Sequence, residues 1–184
     1  MVFLLAWFFM FNYPNNAIAA DFRLESPTVQ DGGQLSMKQV ANSFGCKGSN
    51  ISPELKWTNP PAGTKSFAVT VYDPDAPTGS GWWHWLVYDI PASARSLAEG
   101  VGTADGTKLP TGAKQVRNDE EKPGFMGACP PIGNPPHHYI FTVFALNAES
   151  LKLPPNASPA MAGFFLNKNA LAKATITATY SRKE

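Results

Sequence analysis

The chain has 184 residues, of which 43% are apolar and 16% charged, with a formal net charge of +1. That length and apolar content suffice for one domain with a real core and exclude a disordered chain. The near balance of charge excludes a strong pull toward nucleic acid or an acidic membrane surface, so no nucleic-acid partner is expected. The 17 prolines and 15 glycines are scattered without an internal repeat, which points to a loop-rich β protein.

The N-terminus is of another kind. Val2 to Phe11 is a continuous apolar run, far shorter than the roughly 20 residues that span a bilayer. A polar patch follows, Asn12 to Asn16, and then Ala17-Ile18-Ala19. Small residues at the first and third of those positions fit a signal peptidase site after Ala19 or one residue later, although no Lys or Arg precedes the apolar run. The expectation is a signal peptide over 1–19, a single domain over 20–184, a periplasmic or secreted location, and no stable membrane insertion after cleavage. A buried N-terminal strand or an uncleaved anchor is the competing reading. Cys46 and Cys129 bear on the same question. In an exported protein two distant cysteines point to one disulfide, and in a cytosolic one they are more often free. Such a bridge closes a loop of about 80 residues, for which the chain-entropy model gives roughly 4–5 kcal/mol.

Asp21 to Glu25 alternates weakly and reads as a first strand. Ser26 to Ser52 is polar, with a turn signal at Asp31-Gly32-Gly33 and a second loop over Phe44 to Asn50. Glu54 to Trp57 reads as a short strand ending at Asn59-Pro60-Pro61. The two clearest strands are Phe67 to Tyr72 and His84 to Ile90. Alternation puts Phe67, Val69, Val71 and Asp73 on one face of the first, and His84, Leu86 and Tyr88 on one face of the second. Between them lie Asp73-Pro74-Asp75-Ala76-Pro77 and a Gly-containing turn to Gly81. A hairpin or arch here brings Asp73, Asp75 and His84 to one end of the sheet. Proline restricts how this turn is made, and two acids held close resist being ionised together; by itself the stretch is also an ordinary surface turn.

Pro91 to Pro136 is long and mostly irregular, as functional loops often are. Tyr139 to Leu146 is another apolar strand. Period two sets His137, Tyr139 and Phe141 on one side and His138, Ile140 and Thr142 on the other. His137 and Tyr139 can therefore line one pocket, which His138 does not easily join. Ser158-Pro159 reads as an N-cap and first helical residue. A helix over Met161 to Lys173 follows, with Phe164, Phe165, Leu171 and Ala172 toward the sheet. Thr175 to Tyr180 is the last strand.

Catalytic signatures are missing. There is no G-x-S-x-G elbow, no Cys/His signature, no phosphate-loop motif and no H-E-x-x-H pair. No enzyme activity, metal or cofactor is expected. An anion pocket fits better. Gly127-Ala128-Cys129-Pro130-Pro131 is a tight segment whose amides can face a ligand. His84 and His137 can donate to phosphate oxygens, and Tyr139 adds a hydroxyl. For any one of these histidines a satisfied, partly buried side chain is the plainer reading; their clustering favours the pocket.

Asp73-Pro74-Asp75-Ala76-Pro77, Gly81-Trp82-Trp83-His84-Trp85, Cys129-Pro130-Pro131-Ile132-Gly133 and His137-His138-Tyr139 follow one another in the order and spacing of the phosphatidylethanolamine-binding protein family. The chain resembles its bacterial, Raf-kinase-inhibitor-like branch from about Phe22 to Tyr180. Asn50-Ile51-Ser52-Pro53 and Leu55-Lys56-Trp57 also match a stretch usual in that branch. The resemblance implies an all-β domain, a two-sheet antiparallel β-sandwich with one or two short peripheral helices. It also implies a small pocket for phosphate-like anions, formed here by Asp73, Asp75, His84, Gly127, Pro130, Pro131, His137 and Tyr139. Cys129 stands where eukaryotic members usually have Gly, and Trp83 where they often have a second His. The long C-terminal helix of the eukaryotic form is expected to be missing. These departures argue against eukaryotic partner specificity. The function expected is that of a non-enzymatic binding protein for a small anionic or phosphorylated ligand, which modulates a kinase or other signalling protein. An inhibitor of a kinase or serine hydrolase, acting by surface contact independent of the pocket, is the alternative, and a hydrolase using His84 with the aspartate pair a third. The oligomeric state is open.

Overall fold

The computed structural model describes residues 21–183. The expected cleavage near Ala19 lies outside the described residues. Among the described residues eight strands form two sheets. Strands β1 (Arg23–Glu25), β2 (Leu55–Thr58) and β5 (Ser96–Leu97) make a three-stranded sheet in the order β1-β2-β5. The larger sheet has the order β6-β4-β3-β7-β8, from β3 (Ser66–Asp73), β4 (Trp82–Pro91), β6 (Lys114–Gln115), β7 (His137–Leu146) and β8 (Ala170–Tyr180). All strand pairings within the two sheets are antiparallel. A helix, α1 (Pro159–Asn169), precedes β8.

The sheets close on one core, as a sandwich must. Leu24, Leu55, Trp57 and Leu97 of the small sheet meet Phe67, Val69, Val71, Trp85, Val87, Phe141 and Val143 of the large one. Burying each such side chain contributes about 1.5–3 kcal/mol. The alternate residues of the large sheet face the other way: Ala68, Leu86, Phe144 and Leu146 take Ala162 and Leu166 of α1. Period two therefore reads β3 and β7 faithfully, because these two strands pair without a register shift from Ser66↔Leu146 to Tyr72↔Ile140.

Two details differ from the sequence reading. The helix ends at Asn169 rather than Lys173, and its packed face is Ala162 and Leu166, not Phe164 and Leu171, which are 65% and 42% exposed. Ala170 to Tyr180 pairs with β7 along its whole length. Closing that ladder outweighs the helical preference of Leu171 and Ala172, which is worth only tenths of a kcal/mol per residue. The start of the helix is as expected: the Met161 amide donates to Ser158 Oγ at 3.1 Å, with Pro159 just inside.

The second difference lies in β4. The β3–β4 ladder runs Val71↔Trp85 and then Tyr72↔Trp83, so His84 is an extra residue with no partner opposite. In a bulge of this kind the strand bends and two successive side chains turn to the same side. His84 thereby leaves the face of Leu86 and Tyr88, where unbroken alternation puts it, and joins Trp85 on the inner face. Its ring lies 5.2 Å from that of Tyr139, edge on.

Candidate functional site: a pocket at one end of the sandwich

Because β3 runs antiparallel to both neighbours, its last residue adjoins the first residues of β4 and β7. Asp73, His84, His137 and Tyr139 meet there, each 3% exposed or less. They line a cavity of about 310 Å³ together with Trp82, Met126, Cys129, Pro130 and Pro131, at the small end of the range for ligand sites. Ala76, Pro77 and Thr78 of the β3–β4 loop close one side, and Phe44 and Arg182 another.

The two acids of the Asp-Pro-Asp turn part company. Asp73 points inward: Oδ2 accepts from His137 Nδ1 at 2.7 Å, and Oδ1 accepts from the Asp75 amide at 2.8 Å. Asp75 points outward, where its Oδ2 accepts from the His138 amide at 2.7 Å and His138 Nδ1 at 2.8 Å. Burial opposes the Asp75 charge, but these His138 contacts outweigh it and hold the carboxyl below its usual range. Asp75 thus fastens the turn to β7 beside the pocket and does not line it. His137 Nε2 lies 3.3 Å from Asn134 Nδ2, so both ring nitrogens of this histidine have partners.

His84 and Tyr139 do not. His84 Nδ1 lies 2.9 Å from the Met126 carbonyl oxygen, while Nε2 is buried with no hydrogen-bond partner, as is the Tyr139 hydroxyl. Burial pushes His84 down to about 4, against the opposing Met126 carbonyl, and pushes the Tyr139 hydroxyl well above its ordinary value. A buried polar group left unmet costs about 1–3 kcal/mol, and both of these atoms belong to residues that line the cavity. The only other such atom among the described residues is Gln39 Nε2, outside both cavities. A second, more polar cavity between Asn50, Glu99, Lys108 and Asn118 has no unmet atom of this kind on its lining residues.

Two amides of the Gly127–Pro131 segment, expected to face a ligand, are bonded within the fold. The Gly127 amide donates to Asn50 Oδ1 at 2.7 Å and the Ala128 amide to the Gln39 carbonyl at 3.0 Å. A Cβ on Gly127 collides with the Gln39 carbonyl and the Ala41 amide, so glycine is needed for close approach of that loop. A disulfide joins Cys46 to Cys129 and ties the segment to the loop that carries Phe44. Pro130 and Pro131 face the cavity as apolar wall. Among the described residues no group of three or more His, Cys, Asp or Glu is arranged to hold a metal ion.

Of the lining residues that sequence reasoning missed, Phe44, Ala76, Pro77, Thr78, Trp82 and Met126 among them, Arg182 is the one that carries a charge. Its Nη2 donates to the Gly45 carbonyl at 2.8 Å and its Nη1 to the Phe44 carbonyl at 3.3 Å. No local motif marks it. The signal is the β7–β8 register, which sets Tyr180 opposite His137 and so carries the chain to the pocket mouth two residues later.

A sequence profile described as phosphatidylethanolamine-binding protein matches residues 25–181. YbcL of Escherichia coli K12 is 54% identical over 168 residues, 91% of this chain and 92% of that protein. YbhB of the same organism is 50% identical over 159 residues, 86% of this chain and 99% of that protein. The crystal structure of E. coli YbcL, described as a new member of the mammalian PEBP family, matches with a TM-score of 0.87 over 89% of this chain and all of that one. A Mycobacterium tuberculosis relative, LppC, whose name calls it a lipoprotein, is 34% identical over 88% of this chain and 73% of its own.

Proposed function

The chain belongs to the phosphatidylethanolamine-binding protein family, and from that premise we propose that it is a non-enzymatic binding protein whose pocket takes a small oxyanion of the phosphate or phosphoethanolamine type. One observation carries this reading. Two buried polar atoms, His84 Nε2 and the Tyr139 hydroxyl, lack partners on residues that line a cavity of about 310 Å³. Arg182 at the same cavity supplies the cation an anion requires, and its planar guanidinium suits tetrahedral oxyanions. The ligand is a small anionic or phosphorylated group. The disulfide and the lipoprotein name of a relative support export, and we place the protein in the periplasm or outside the cell.

Calorimetric titration of phosphate and phosphoethanolamine tests the reading. Both should saturate at one site. Arg182→Ala loses a charged donor at the rim and should bind about tenfold more weakly. His138→Ala, on the outer side of β7, should bind as the parent does. No saturable heat with either probe would remove the anion-pocket reading.

A further inference from the structure

We propose that the pocket is specific for an oxyanion that still carries a proton, a phosphate monoester in its monoanionic form, because His84 meets the ligand as a hydrogen-bond acceptor. This rests on the anion-pocket reading and narrows it to one ligand class.

The tautomer of His84 is set by its partner. The Met126 carbonyl oxygen has only lone pairs to offer, so the ring nitrogen 2.9 Å from it, Nδ1, must carry the hydrogen. A neutral imidazole has one N–H, which leaves Nε2 as a bare lone pair. Burial keeps the ring neutral well below pH 7. The charged and titratable groups facing it are few. Asp73 at the end of β3 and His137 at the start of β7 both act on the charge of His84; they are bonded to each other, and the other Asp73 oxygen holds the Asp75 amide. Tyr139 on β7 is held protonated by burial, and Arg182 stands at the mouth.

The ligand that completes this site follows from the inventory. Nε2 needs a donor. The Tyr139 hydroxyl is free to donate to an anionic oxygen, and Arg182 draws net negative charge. A phosphate monoester monoanion offers both parts: P–OH toward Nε2 and P–O⁻ toward Tyr139. A fully deprotonated dianion sets lone pair against lone pair at His84 and meets the Asp73 carboxylate as well. Sulfate has the size and shape of phosphate but no proton at neutral pH. A phosphodiester, such as a head group still attached to glycerol, has no P–OH either. Both should be refused, and a phosphorylated small molecule or side chain accepted.

The test compares phosphoethanolamine, glycerophosphoethanolamine and sulfate by calorimetry at pH 6 and pH 8. The second phosphate pKa of a monoester is about 6, so the monoanion falls from about half of the ligand to about 1%. Apparent phosphoethanolamine affinity should drop by roughly 50-fold between the two pH values. Sulfate and the diester should bind at least about 10-fold more weakly than phosphoethanolamine at pH 6. Ring nitrogen NMR of the parent protein at pH 7 should show His84 as the neutral Nδ1–H tautomer. Sulfate or diester binding within threefold of phosphoethanolamine at pH 6, or an imidazolium signature for His84, overturns the proposal while leaving the anion pocket standing. Failure of all three probes to bind overturns the pocket reading itself.

Discussion

His84 couples the site to the stability of the molecule. Its folded pKa is depressed to about 4 by burial, against about 6.5 in an unfolded chain. The unfolded state therefore binds more protons between those values. The stabilising contribution is complete above about pH 6.5, declines as pH falls, and is gone below about pH 4. Its size is on the order of 3 kcal/mol. Asp75, with its carboxyl held below the usual range, loses its contribution only at still lower pH, so the two effects separate. Urea unfolding of the parent and His84→Gln at pH 7 and pH 4.5 should show the parent losing more stability on acidification. Equal losses would mean that His84 is not the buried neutral group described. The residue was visible in the sequence and its side of the sheet was not. Alternation is a rule for unbroken ladders, and the bulge at His84 is set by the β3–β4 pairing rather than by any local signal. Asp75 is a similar case: composition alone shows two acids beside a proline, and only the His138 amide reveals that one of them turns outward.

The β3–β4 connection shows what an element requires of single positions. Gly79 and Gly81 both have positive φ, +79° and +69°. Around Gly79 there is open space, whereas a Cβ on Gly81 runs into the Tyr72 hydroxyl and lies 2.6 Å from the Asp73 carbonyl oxygen. Gly81→Ala should therefore cost about 1–3 kcal/mol in backbone strain and push on Asp73, the residue that orients His137. Gly79→Ala meets only the φ penalty, about 1–2 kcal/mol. Denaturant midpoints and phosphoethanolamine affinity for the two variants check this. Loss of affinity confined to Gly81→Ala is expected, and an equal effect on both would show that the turn does not position Asp73. The sequence shows a Gly-containing connection here, but which glycine is crowded depends on where Tyr72 folds over the turn. The helix boundary was obscured for a related reason. Leu171 and Ala172 suit a helix locally, and only the partner strand β7 decides that they extend a sheet.

At the scale of the whole molecule, the two sheets and their order follow from runs long enough for period two to speak, while the pocket wall depends on contacts between distant segments. Cys46 and Cys129 are 83 residues apart. Their bridge joins the wall segment to the loop whose Phe44 and Gly45 carbonyls hold Arg182. Arg182 in turn reaches the mouth only because β8 runs the full length of β7. Removing the bridge frees a long loop in the unfolded chain, for which the entropy model gives roughly 4–5 kcal/mol. In a chain of this size that is a fall in Tm of roughly 10–20 °C. The consequence for function is separate from that for stability, because a loosened 43–47 loop no longer fixes the guanidinium. The doubly substituted protein, Cys46→Ser with Cys129→Ser, should still fold at 15 °C and bind phosphoethanolamine severalfold more weakly than the parent. Unchanged affinity would show that the bridge braces the fold but not the mouth. The same covalent link bears on location. Protein recovered from its native host should show no reactive thiol under denaturing, non-reducing conditions, and by mass should begin at Ala20 or Asp21. A chain that keeps Met1 and two reactive thiols would place it in a reducing compartment, and the bridge would then have no oxidising surroundings in which to form.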